Sequence, residues 1–145
     1  MKDKQRNRAI AGAAGVILGG LIALGPQYVF KICEQTGHHG GVTQCFWTGR
    51  AEMGVGALIA VIGIVYLLTK DARVRAGLSI AASLSGALSL AVIDVLIGVC
   101  GEADMSCRLA TLPAINIVGI ITAFSAAANA FYLLRRQSAE SGSNG

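Results

Sequence analysis

The chain has 145 residues, of which 54% are hydrophobic and 14% charged, with a formal net charge of +4. Nearly all of that length falls into four apolar stretches and their short connections, which excludes a soluble catalytic domain, a nucleotide-binding loop and hence a primary pump. The basic excess needs no nucleic acid, because Lys and Arg flank the apolar stretches as topology signals beside anionic headgroups.

Crossing about 30 Å of hydrocarbon takes roughly 20 apolar residues, and charge-free or nearly charge-free windows of about that length run 9–30, 53–69, 76–99 and 109–134. The first follows Lys2, Lys4, Arg6 and Arg8. It reads as a retained span, not a cleaved signal peptide: the small-x-small site near its end, Ala23-Leu24-Gly25, is followed by Pro26. Its Ala11, Gly15 and Gly19 form a small-residue ladder for close helix packing. Gly19-Gly20 and Gly25-Pro26 predict a loosened or kinked outer half. A loop with Cys33, His38, His39 and Cys45 follows, and Phe46-Trp47 reads as an interfacial belt.

Glu52 opens the second span, predicted over 52–69. Lys70, Arg73 and Arg75 mark a brief turn before the third, predicted over 76–99, which carries a second ladder of Gly77, Ala81, Ser85 and Ser89 and is interrupted by Asp94. Cys100 and Cys107 lie in the next loop. The fourth span, 112–134, starts near Pro113 and Asn116 and carries Thr122, Ser125 and Asn129 on one face, placed to hydrogen-bond within the bundle. Arg135 and Arg136 close it. The Ser-, Gly-, Asn- and Glu-rich segment 137–145 is too polar to fold alone and is expected to be a disordered cytoplasmic tail, leaving 1–136 as a single transmembrane domain.

Runs this long are helices, not the alternating strands of a barrel. Nine Lys and Arg residues fall at the termini and central turn, against Lys31, Arg50 and Arg108 in the other two loops. The positive-inside rule then places both termini in the cytoplasm and both cysteine-bearing loops outside. All four cysteines lie on that outer, oxidising side, which reads as disulfides with three connectivities allowed. The simplest is Cys33 with Cys45 and Cys100 with Cys107; the alternatives tie the first helical hairpin to the second. Closing such loops is worth about 2–4 kcal/mol. The expected fold is thus all-α, a four-helix transmembrane bundle with two disulfide-stapled extracytoplasmic loops, in a bacterial plasma membrane.

The outer end also gathers a polar cluster: Glu52, Asp94 and Asn116, flanked by Arg50 and Arg108. An acidic group inside a span is costly, usually faces the bundle interior and asks for a partner. For Asp94 that partner is Arg108, or alternatively Asn116 or a neighbouring hydroxyl. His38, His39, Met53 and Met105 are soft or borderline ligands suited to copper or zinc, giving a metal or haem site as an alternative. Oxidised cysteines could not join it as thiolates, and the main expectation is no cofactor.

The segment Cys45-Phe46-Trp47-Thr48-Gly49-Arg50-Ala51-Glu52-Met53-Gly54-Val55-Gly56, preceded by Cys33, resembles the signature of uncharacterised four-span bacterial membrane proteins, the domain of unknown function 4418. So does Cys100 followed by Met105-Ser106-Cys107-Arg108 and Thr111-Leu112-Pro113-Ala114, and the likeness covers essentially the whole chain. The resemblance implies a small integral membrane protein often encoded near ATP-binding-cassette (ABC) transporters with permeases of the lipoprotein-exporter type. Where that pattern commonly has a His after the second Cys, this chain has Phe46, which weakens a metal role for the loop.

The functional expectation is a non-enzymatic accessory or regulatory component of an ABC-type transporter, recognising a partner or small ligand through its outer loops. An outer-face thiol-redox or metal/haem protein is the alternative from another class. A third reading, a proton-coupled small exporter, rests on Asp94 and Glu52 and would need a homo-oligomer to form a pathway.

Overall fold

The computed structural model describes residues 2–25, 28, 44–96 and 112–142. They form α1 (Lys2–Leu24), α2 (Gln44–Leu68), α3 (Ala72–Ala91), which passes into a π-helical segment Val92–Leu96, and α4 (Leu112–Gly142). All four helices are long and apolar enough to cross a membrane. Helix is what such sequences must adopt there, because hydrocarbon offers the backbone no other hydrogen-bond partner.

Adjacent helices run antiparallel, and the four make a bundle of two tight pairs, α1 with α2 and α3 with α4; contact between the pairs is sparser. Glycine sets the closeness of each pair. A Cβ at Gly19 would lie 2.5 Å from the Ala60 backbone nitrogen, and one at Gly56 would run into that of Ala23. On the other pair, a Cβ at Gly86 would lie 2.9 Å from the nitrogen of Ala123. Lipid is as apolar as the side chains, so backbone-to-backbone packing at small residues is what holds apolar helices together.

The first ladder sits on this contact: Gly15 and Gly19 both face α2. The second is placed differently. Ser85 and Ser89 are buried, but Gly77 is exposed with open space where its Cβ would be, and Gly86 makes the close approach to α4. Nor does α1 break at Gly19-Gly20; it is continuous to Leu24, with Gly25 in a wider π-type turn. Gly19 is held by the backbone of α2, so it serves packing and not bending. Pro26 lies outside the described residues.

Between α2 and α3 the chain turns through Thr69, Lys70 and Asp71. Thr69 Oγ1 donates to the Val65 carbonyl at 2.8 Å, and Asp71 caps α3 by accepting from the Arg73 N–H at 2.8 Å. The helices outrun the apolar windows: α2 starts at Gln44 instead of 52, and α4 continues to Gly142, past position 137 where the sequence suggests a disordered tail. Apolarity marks where hydrocarbon is crossed, whereas a helix can continue into the headgroup layer with polar side chains in water.

Ile22 and Ile59 are fully enclosed, and Tyr66, Ala76 and Leu133 form a buried cluster near one end. Ile17, Leu84 and Phe124 are among many large apolar side chains that face outward, an apolar exterior suited to lipid. The described helices thus form an all-α, multi-pass membrane bundle in contact with the bilayer.

Candidate functional site

Glu52 is not at the mouth of the bundle. It lies two turns inside α2 with 0% exposure. Ser89, also 0% exposed, donates its hydroxyl to Glu52 Oε2 at 2.6 Å, while Oε1 has no hydrogen-bond partner. A carboxyl enclosed with one hydroxyl is chemically conspicuous, because each unsatisfied buried oxygen carries a desolvation cost. The sequence marks both residues, Glu52 as an acid in a span and Ser89 as a ladder position, without pairing them.

Asp94 occupies the π-helical segment and is exposed, whereas an intramembrane acid is expected to face inward. Val92 and Ile93 take the buried positions there. Asn116 Nδ2 on α4 approaches Asp94 Oδ1 at 3.5 Å, longer than an ordinary N–H···O bond, and Asn116 Oδ1 is buried without a partner. Arg50 is exposed, and Arg108 lies outside the described residues. The polar cluster read from sequence is therefore spread over two contacts, Glu52 between α2 and α3, Asp94 and Asn116 between α3 and α4.

Met53 is partly buried on α2, next to Glu52. Cys45 lies in the first turn of α2. Cys33, Cys100, Cys107, His38, His39 and Met105 fall outside the described residues, as does any disulfide among those cysteines.

A second polar centre, at the opposite end of the bundle, escapes the sequence reading almost entirely. Asn129 on α4 uses its amide group in three directions. Nδ2 donates to Tyr66 OH of α2 at 2.9 Å and to Ser79 Oγ of α3 at 2.8 Å, and Oδ1 accepts from Asn7 Nδ2 of α1 at 3.1 Å. One side chain thereby ties all four helices. Ser79 donates its own hydroxyl to the Arg75 carbonyl at 3.0 Å, and the Arg75 guanidinium stands 5.9 Å from the Tyr66 ring centre. Of this set the sequence reading singles out Asn129 alone for hydrogen bonding, and marks Arg75 only as a topology signal before the third span. The available signal was position: Asn7 lies within a turn of the apolar window, close enough to be drawn into the bundle.

Thr122 and Ser125, expected to bond across the bundle, instead back-bond along α4, to the carbonyls of Val118 at 2.7 Å and Thr122 at 3.3 Å. Both line a cavity of about 250 Å³ among the four helices, whose other walls include Ala14, Leu18, Ile59 and Leu78 and whose polar end is Asn7, Tyr66, Ser79 and Asn129. Among the described residues no three His, Cys, Asp or Glu side chains converge as a metal site would need.

No curated protein and no solved structure matches the chain. The family model described as "Domain of unknown function (DUF4418)" matches residues 15–132, which takes in α1 from Gly15 onward, all of α2 and α3 and two-thirds of α4. With four apolar helices and both polar centres largely inside that match, the chain belongs to this family of uncharacterised four-span proteins.

Proposed function

We propose that this protein is a non-catalytic accessory or regulatory component of an ABC-type transporter in a bacterial plasma membrane. Its termini are cytoplasmic, and two disulfide-stapled outer loops recognise the partner or a small ligand. The observation that carries the reading is the use of the interior polar groups at Asn129: the amide, phenol and hydroxyl there are committed to tying helices together, as in a rigid scaffold. The charge asymmetry across the membrane supports the orientation. The transporter association draws its support from the family resemblance.

The test is mild solubilisation of membranes carrying the tagged full chain at native level. The expected result is a stable, near-stoichiometric complex with an ABC permease that is lost when the outer loops are altered. A chain that runs alone in every mild detergent would contradict the proposal.

A second reading, a proton-coupled small exporter, is favoured by Glu52, an enclosed carboxyl with one oxygen unbonded. It predicts proton flux in proteoliposomes that disappears in Glu52→Gln. The accessory reading predicts no flux from either protein.

A further inference from the structure

The end of the bundle that holds Asn129 carries donors that the fold does not use. Arg75 sits in the first turn of α3 with 5% exposure, and its Nε is buried without a hydrogen-bond partner. Gln137 Nε2, on α4, is likewise buried and unpartnered. Both line a small cavity of about 20 Å³ together with Asn7, Ala72, Tyr132 and Arg136. Among the described side chains no carboxylate pairs with either guanidinium. Arg136 Nη1 reaches only the phenol of Tyr132, at 3.2 Å, and Arg75 only the face of Tyr66. Asp71 is nearby in sequence but turns its carboxylate to the Arg73 N–H as the α3 cap. Two guanidinium groups and an amide around a void the size of one water form a site for a single oxygen of an anion whose other oxygens lie outside it beside the half-buried Arg136, and arginine's planar fork matches phosphate in particular.

The neighbouring cavity supplies the other half. Asn7 lines both voids, so the cationic end and the 250 Å³ apolar cavity adjoin. That cavity also reaches the exterior: Ile10 of α1, 61% exposed, and Ser125 of α4 line it, and α1 and α4 touch sparsely. Its mouth lies where lipid tails would be. A void of about 150 Å³ accepts a benzene ring, so this one is sized for a stretch of hydrocarbon chain and not for a whole lipid. We propose that this end of the bundle binds the phosphate headgroup of an anionic lipid at Arg75, Arg136 and Gln137, with part of one acyl chain entering the cavity past Asn7. Basic pockets between spans are suited to anionic headgroups, and each Arg near the surface is worth about 1 kcal/mol of that attraction.

The full chain is reconstituted into nanodiscs of equal phosphatidylglycerol and phosphatidylcholine, extracted gently, and its retained lipid measured by native mass spectrometry. The expected result is an enrichment of phosphatidylglycerol of about thirtyfold, the factor that ~1 kcal/mol from each of the two arginines provides. Arg136→Gln and Arg75→Gln should each reduce it, and Arg75→Lys, which keeps charge without the fork, should fall between. Ala126→Leu, which fills the apolar cavity and leaves the cations untouched, should lower retention of both lipids. Inorganic phosphate as a separate probe should raise the melting temperature less than phosphatidylglycerol does. Equal retention of the two lipids overturns the proposal, as does enrichment that survives Arg136→Gln or a total lipid retention that survives Ala126→Leu. Stabilisation by inorganic phosphate equal to that by the lipid overturns the acyl-chain half and leaves an anion site. Should Arg75→Gln fail to fold, the Arg136 and Ala126 variants decide the matter.

Discussion

Ser89 Oγ on α3 donates a 2.6 Å hydrogen bond to Glu52 Oε2 on α2, with both side chains fully enclosed and Glu52 Oε1 left without a partner. The pair joins the first tight helix pair to the second, where contact is otherwise sparse.

Ser89→Ala removes the one donor and strands a buried carboxyl, which should cost about 1–3 kcal/mol. Replacing both partners with apolar groups, Glu52→Leu with Ser89→Ala, should recover most of that loss, because no polar atom is then left unmatched. Thermal unfolding in detergent across the double-mutant cycle checks this. A double variant as unstable as the sum of its singles would show that the pair is not what links these two positions.

Gly56→Ala should destabilise by about 1–3 kcal/mol, the usual range for overpacking, because the new methyl meets the backbone of α1 and not a side chain that can move. Gly20→Ala and Gly54→Ala put a methyl into open space and should be neutral or stabilising by up to about 1 kcal/mol, since alanine favours helix. The same melting assay separates the two classes.

Asn129→Ala should loosen all four helices at once. Interhelical hydrogen bonds in membranes average about 0.6 kcal/mol each, so losing three predicts a drop of roughly 2 kcal/mol, with Tyr66→Phe costing about a third as much. Equal effects from the two variants would contradict a junction centred on Asn129.

Charge asymmetry predicts that reporter fusions at both termini report cytoplasm, and that a fusion at Gly40 reports the outer side. A C-terminal green fluorescent fusion should glow and alkaline phosphatase at position 40 should be active; the reverse pattern would invert the orientation.

The spans were legible because bilayer thickness imposes a length that any four-span sequence must show. The pairing of ladders was not, because packing is a property of two helices: Gly15 and Gly19 announce a small-residue face, but nothing local says that Gly56, Ala60 and Gly63 of α2 meet it. The second ladder passes one position from the closest approach, which Gly86 makes to α4. Glu52 is marked by its charge, yet its depth depends on α2 starting at Gln44, ahead of the charge-free window that begins at residue 53. Arg75 illustrates the other blind spot. A cation at the end of an apolar run reads as solvated, and its 5% exposure follows from the closeness of Tyr66 and Tyr132 on other helices.

The central claim is that stapled outer loops on a rigid bundle form a recognition surface. Intact mass of the detergent-purified chain, with and without reductant and alkylation, tests it most directly. The account predicts a mass lighter by the hydrogens of two disulfides, thiols that react only after strong reduction, and no bound metal or haem. Free or easily reduced cysteines, or added mass from a metal or haem, would contradict it and bring the outer-face redox or metal reading forward.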